Sequence, residues 1–180
     1  QTVNINKLVL ENKSKNKIFK YIPHGKDANV FHPIDKDNKE LISFKKRIFP
    51  NENPKFVAFF NSRNIRRKAI PDTMLAFKAF LDTLPKKEAE QCFLILHTEL
   101  VTDHGTYLEK VREYLFEEKY PNNIIFSHDK LDPKYLNFLY NIADVQLLLT
   151  SNEGWGLTLT EAILAGTPVI ANTTGGMQDQ

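Results

Sequence analysis

Five short, almost wholly apolar runs limit what this chain can fold into: FVAFF (56–60), FLIL (93–96), NIIF (123–126), VQLLL (145–149) and PVIA (168–171). None alternates apolar with polar residues, as a strand with one wet face would. Runs of this length suit strands covered on both faces, the situation of a parallel sheet.

Amphipathic stretches separate the runs. PDTMLAFKAFLDTL (71–84) carries Met74, Leu75, Phe77, Phe80, Leu81 and Leu84 at helical spacing, with Pro71 suited to a first turn. Residues 106–118 repeat the pattern with Leu108, Val111 and Leu115. Asp132 can cap a helix bearing Tyr135, Leu136, Leu139, Tyr140 and Ile142. A last helix is expected from about Leu157 to Ala165, ended by a left-handed Gly166 and by Pro168. Alternating strands and helices predict an α/β fold, a Rossmann-like doubly wound parallel sheet over 55–180. Residues 1–54 read as a lead-in attached to that domain: a short strand within IFKYIPHG, a turn, then an amphipathic helix in DKDNKELISFKKRIF.

Bulk properties exclude more than they assign. The net charge of +2 gives no ground for a nucleic-acid partner. Residues 1–50 hold 11 Lys+Arg against 5 Asp+Glu, which is either a solvated surface or a docking face for anionic membrane or another domain. Cys92 precedes FLIL and reads as a buried thiol, so a cytoplasmic setting is expected. The five histidines (24, 32, 97, 104, 128) show no ligand spacing and read as turn or surface residues. Starting at Gln1 and stopping after GGMQDQ, the chain reads as a piece of a longer protein.

In an open parallel sheet, ligands bind beyond the carboxyl ends of the strands. Two loops there are chemically pointed. NSRNIRRKA (61–69) offers Arg63, Arg66, Arg67 and Lys68 to an anion such as a diphosphate, or is a basic surface loop. No P-loop and no GxGxxG is present. SNEGWGLTLTEAILAG (151–166) places two glycines before a helix whose first amides are free, with Glu153 ahead of it and Glu161 inside it. Those acids could accept hydrogen bonds from sugar hydroxyls, or be dipole-favoured acids on a wet surface. Together the two loops describe a nucleotide-sugar site.

These residues resemble a known family. NIADVQLLLTSNEGWGLTLTEAILAGTPVIANTTGG (141–176) is similar to the E-x7-E block of glycosyltransferase family 4, the "group 1" glycosyltransferases. YIPHGKDANVFHP (21–33) resembles the family's "IPNGVD...F.P" segment, and SRNIRRKAI (62–70) its "GRL..RKGI" loop. The resemblance implies the C-terminal, donor-binding half of a retaining GT-B enzyme of hexosyltransferase type. It implies diphosphate contacts for Arg63 and Lys68, and the transferred sugar on Glu153. Backbone amides of Gly154, Trp155, Gly156 and Leu157 would lie near sugar and phosphate, and Thr158 would add a hydroxyl. Glu161 would take the ribose, and the loop from His128 to Leu131 would lie against the base. Gly25 would begin this domain's side of the interdomain cleft.

Ser62 and Ala69 stand where the family has glycine, Thr150 where it has proline and Trp155 where phenylalanine is commoner. The acceptor domain and the elements following the GG turn are absent. A UDP- or GDP-sugar is the expected donor, no metal or other cofactor is expected, and the acceptor is a glycan, a lipid or a protein. The chain alone is expected to bind nucleotide without efficient transfer, and the full protein to sit in the cytoplasm with possible peripheral membrane contact. The alternatives are a non-catalytic nucleotide-binding module and a sugar-nucleotide epimerase-like domain.

Overall fold

All five apolar runs form strands in the computed structural model, which describes residues 2–180. They are β1 (Phe56–Asn61), β2 (Cys92–His97), β3 (Ile124–Ser127), β4 (Val145–Leu148) and β5 (Val169–Ala171). Every pairing is parallel, in the order β3-β2-β1-β4-β5. Successive side chains point to opposite faces, so an unbroken apolar run supplies two cores. In β1, Ala58 and Phe60 enter one core, Val57 and Phe59 the other. In β2, Leu94 and Leu96 oppose Phe93 and Ile95 in the same way. The edge strands β3 and β5 are only partly covered, and Ile170 is exposed.

One core is roofed by α3 (Ile70–Asp82) and α5 (Leu108–Phe116). The other lies under α2 (Lys39–Ile48), α6 (Pro133–Ile142) and α7 (Leu157–Ala165). The chain winds outward from β1 to β3 under the first roof. It then returns beside β1 as β4 and winds on under the second. At that reversal the chain leaves β1 and β4 toward opposite faces of the sheet, which opens a crevice at their carboxyl ends.

The sequence reading holds closely in this region. Helix α7 begins at Leu157 and ends at Gly166, whose φ is +76°. Asp132 caps α6, its side chain accepting from the Lys134 amide at 2.9 Å. Cys92 is buried, and burial pushes its thiol pKa up. The apolar stripe of α3 is narrower than its composition suggests: Leu75 and Phe80 are exposed, and Ile70 and Thr73 are buried in their place.

The lead-in differs. The strand expected in IFKYIPHG does not form; residues 18–27 adopt no regular element, with Ile18, Tyr21 and Ile22 exposed. A strand needs a ladder partner for its backbone groups. None of the five strands pairs with this segment. A helix not expected from the sequence, α1 (Thr2–Leu10), precedes it, and a short α4 (Lys86–Ala89) follows Pro85. From Phe31 the lead-in joins the second core through Phe31, Leu41, Phe44 and Phe49. Two α6 amides fasten it there: the Ile34 N–H donates to Asn141 Oδ1 at 2.7 Å, and Asn137 Nδ2 donates to the His32 carbonyl at 3.1 Å.

Gln146 breaks the apolar pattern of its strand. Gln146, at the centre of β4, is fully buried, and neither atom of its side-chain amide has a hydrogen-bond partner. Such a group costs on the order of 1–3 kcal/mol of desolvation. Gln146→Met keeps the volume and removes the unpaired atoms. It is expected to raise the unfolding free energy by about 1–3 kcal/mol in urea titration. An unchanged or lower midpoint would show that the amide is satisfied in solution.

Candidate functional site

The crevice brings the two chemically pointed loops together. After β1 the chain makes a short 3-10 turn, Arg66–Lys68, and then Ala69 adopts a left-handed conformation at φ +48°. This is where the family pattern has glycine, and the positive φ is the reason glycine suits it. The turn is laced to the loop after β4. The Ser151 amide donates to the Arg67 carbonyl at 2.9 Å, and Thr150 Oγ1 donates to the same carbonyl at 3.1 Å. Behind the turn, the buried Asn64 braces it from the loop after β2: its Nδ2 donates to the Thr106 carbonyl at 2.7 Å, and its Oδ1 accepts from the Thr106 amide at 3.1 Å.

Glu153 is the hub. Its Oε2 takes a hydrogen-bonded ion pair from Lys68 and a second contact from Arg67 Nη1 at 3.1 Å. Arg67 also donates to the Asn152 carbonyl at 2.5 Å. Lys68 and Glu153 are both largely withdrawn from water, with side chains 9% and 11% exposed. Burial pushes the Glu153 carboxyl up. The hydrogen bonds and charges of Lys68 and Arg67 push it down, and the net position is below the ordinary value. The GG turn supports the loop from behind. A Cβ on Gly175 would sit 1.8 Å from the Glu153 carbonyl oxygen, at a φ of +55°. The Gly176 amide donates to that carbonyl at 3.2 Å.

Glu161 is no surface acid; it is 4% exposed. Tyr140 donates to its Oε2 at 2.7 Å, and Asn61 Nδ2 donates to the Tyr140 hydroxyl at 2.9 Å. Lys26 Nζ lies 2.5 Å from the other oxygen, Oε1. Burial and the Glu161 charge hold the Tyr140 hydroxyl well above its ordinary pKa, so it stays a donor.

The candidate residues distribute over adjoining clefts. Lys68, Glu153, Gly154, Trp155, Gly156, Leu157 and Thr158 line one of about 410 Å³. Arg63, His128 and Thr158 line a second of about 460 Å³, so Thr158 joins the two. Helix α7 points its start at the first, and no side chain caps that start, which leaves its opening amides open to an anion. Glu161 lies below, lining neither cleft. Leu131 also lines neither; its partly buried apolar side chain packs against the second core. His97 is partly buried at the end of β2, contrary to the surface reading, and its Nδ1 lies 2.9 Å from Ser127 Oγ. Burial lowers its pKa, opposed by the Ser127 bond and the Glu161 charge.

Arg67, Lys26, Tyr140 and Asn61 were not assigned from the sequence. Arg67 was visible as one of four basic residues in its loop. Tyr140 reads as core because its ring is core, packed against Phe31 and Phe59. Lys26 stands where the quoted family segment has valine. Its partner is 135 positions away, so spacing gives no signal.

Residues 35–180 match the family described as glycosyl transferases group 1. The chain belongs to this family, and its sheet is the Rossmann-like C-terminal half of the GT-B architecture. It is 27% identical over 152 residues to the alpha-monoglucosyldiacylglycerol synthase of Acholeplasma laidlawii, covering 84% of this chain and 35% of that protein. The chain thus spans about a third of that relative's length. Among solved structures it resembles the C-terminal domain of a group 1 glycosyl transferase from Francisella tularensis, at TM-score 0.64 and 20% identity, covering 84% of this chain and 72% of that one. It also resembles Anabaena HepE in complex with UDP-glucose, at TM-score 0.67 and 21% identity, covering 89% and 40%.

Two outcomes test the site as built. Glu153 has a folded pKa below its ordinary 4.5, so its stabilising contribution is present above that value and is lost as pH falls through the folded pKa. Between about pH 5 and pH 3, thermal melts of the wild type should therefore lose more stability than those of Glu153→Gln. Parallel curves would show that the pair does not hold in solution. Gly175→Ala should cost about 1–3 kcal/mol, because it adds both a clash with the Glu153 carbonyl and a strained φ; a melt unchanged from wild type contradicts the tight GG turn.

Proposed function

We propose that this chain is the donor-binding half of a retaining glycosyltransferase that moves a hexosyl group from a nucleoside diphosphate to an acceptor. The observation that carries the reading is the meeting of Lys68, Arg67 and Glu153 in front of the uncapped start of α7. Cations and free amides face a place where an anion would sit, and a carboxylate able to accept from sugar hydroxyls stands beside them. Cleavage of the bond between the anomeric carbon and the diphosphate leaves negative charge on the diphosphate. Arg63, Lys68 and the α7 amides would stabilise that charge, so no metal ion is required of the mechanism.

In this reading Lys68 has two partners, Glu153 in the free protein and the diphosphate in the complex. Glu153, oriented by Lys68 and Arg67, accepts from the hexose hydroxyls. Glu161, fixed by Tyr140, accepts from the ribose, and the second cleft, with Arg63 and His128, receives diphosphate and base. The monoglucosyl product named for the Acholeplasma laidlawii relative and the UDP-glucose bound by the Anabaena protein make UDP-glucose the first donor to test. The acceptor, a glycan, lipid or protein, is held by a partner domain. No described helix is long and apolar enough to cross a membrane. In this reading the full enzyme works in the cytoplasm, and peripheral contact with the cytoplasmic face of a membrane is compatible with it.

Calorimetric titration with UDP, GDP and ADP tests this directly. One nucleotide should bind, and the chain alone should show no efficient transfer. Glu161→Ala should weaken UDP by about tenfold or more, the scale of a lost charge-assisted hydrogen bond. Glu153→Ala should leave UDP nearly unchanged and reduce the added affinity of UDP-glucose. The absence of binding by all three nucleotides, in a folded sample, would sink the donor-site reading. Undiminished UDP affinity in the Arg63→Ala, Lys68→Ala double variant would remove the basic loop from it.

A further inference from the structure

Glu161 has one oxygen facing inward and one reachable from outside. The inner oxygen, Oε2, is held by Tyr140, whose hydroxyl is fixed in turn by Asn61 within the core. The outer oxygen, Oε1, is covered by the Lys26 ammonium at 2.5 Å. The Lys26 side chain is 28% exposed, against 6% for that of Glu161, so it lies between the carboxylate and solvent. It comes from the end of the segment that adopts no regular element. Immediately after it the backbone is anchored: the Asp27 carbonyl accepts from the Val30 and Phe31 amides at 3.1 and 3.0 Å. The ammonium also lies 5.5 Å from the centre of the Phe31 ring. A fixed backbone with a long, partly wet side chain lets the ammonium leave Oε1 without refolding.

We propose that Lys26 is a displaceable cap on Glu161, which a ribose diol must move aside to reach Oε1. The cap sets how much of the donor's affinity comes from its ribose hydroxyls. The inference rests on the donor-site reading above and adds a specificity-determining residue to it. The physical basis is competition. In the free protein the buried carboxylate is already satisfied by Lys26, so exchanging an ammonium for hydroxyl donors gains less than meeting a bare carboxylate would. Without Lys26 the same carboxylate has an unsatisfied oxygen, and a ligand that satisfies it gains more.

The test compares UDP with 2′,3′-dideoxy-UDP by calorimetry in the wild type, Lys26→Met, Lys26→Gln and Lys26→Arg. The measured quantity is the ratio of the two dissociation constants, dideoxy over parent. Loss of one positive charge acts on the charge of both ligands alike and cancels in the ratio. The ratio should rise by about threefold or more in Lys26→Met and Lys26→Gln, and stay at the wild-type value in Lys26→Arg, which keeps the cap. A purely structural role for Lys26 would shift both constants together. A ratio unchanged or lower in both neutral variants, with UDP still binding, overturns the cap. A ratio of one in every form, wild type included, overturns it too, since Glu161 then meets no ribose. Failure of the wild type to bind UDP, GDP or ADP is a different result; it brings down the donor-site reading itself.

Discussion

Lys68 and Glu153 stand 85 positions apart in sequence, yet their ion pair joins the two halves of the crevice. It exists because β1 and β4 are neighbours in the sheet although β2 and β3 come between them in the chain. The reversal of winding at that seam places the loop after β1 against the loop after β4. Hydrogen bonds from the Ser151 amide and the Thr150 hydroxyl to the Arg67 carbonyl then fix the approach. Lone ions so far from water would be costly. Each is acceptable because it has the other, and because Arg67 adds a second donor to Glu153. The site's geometry is therefore a consequence of strand order.

A second charge sits deeper and is managed differently. Glu161 is set into α7 on the side that faces the core, among aromatic and apolar neighbours. Its two oxygens are met by Tyr140 behind it and Lys26 in front. Tyr140 serves two purposes with one side chain: its ring packs between Phe31 and Phe59, and its hydroxyl reaches the carboxylate. This links the lead-in, the central strand, α6 and α7 through a few side chains. The lead-in thus helps build the site. Phe31 holds it to the core, and Lys26, five residues earlier, reaches the acid.

Much of the fold was legible because the relevant signals are local. An apolar run covered on both faces needs no partner to be recognised, and α7 carries its own start and stop in Gly156 and Gly166. The E-x7-E block, the basic loop and the GG turn are likewise contiguous in sequence. Other features were not legible. The strand expected in IFKYIPHG needed a pairing edge that the sheet does not supply to it. Leu131 follows β3 as expected, but its apolar side chain has a core within reach. Gln146 lies in a run that the sequence reads as covered on both faces, and nothing local shows that its amide finds no partner there.

By itself the sequence determined the five strands, their alternation with helices, and the chemical types gathered at the strand ends, since these follow from the period of apolar residues and from turn chemistry close along the chain. Only the tertiary structure decided who meets whom. It gave Glu153 to Lys68 and Arg67, turned Glu161 inward to Tyr140, and laid Lys26 over its outer oxygen. Those partnerships depend on strand order and burial, which bring together residues that no sequence spacing relates.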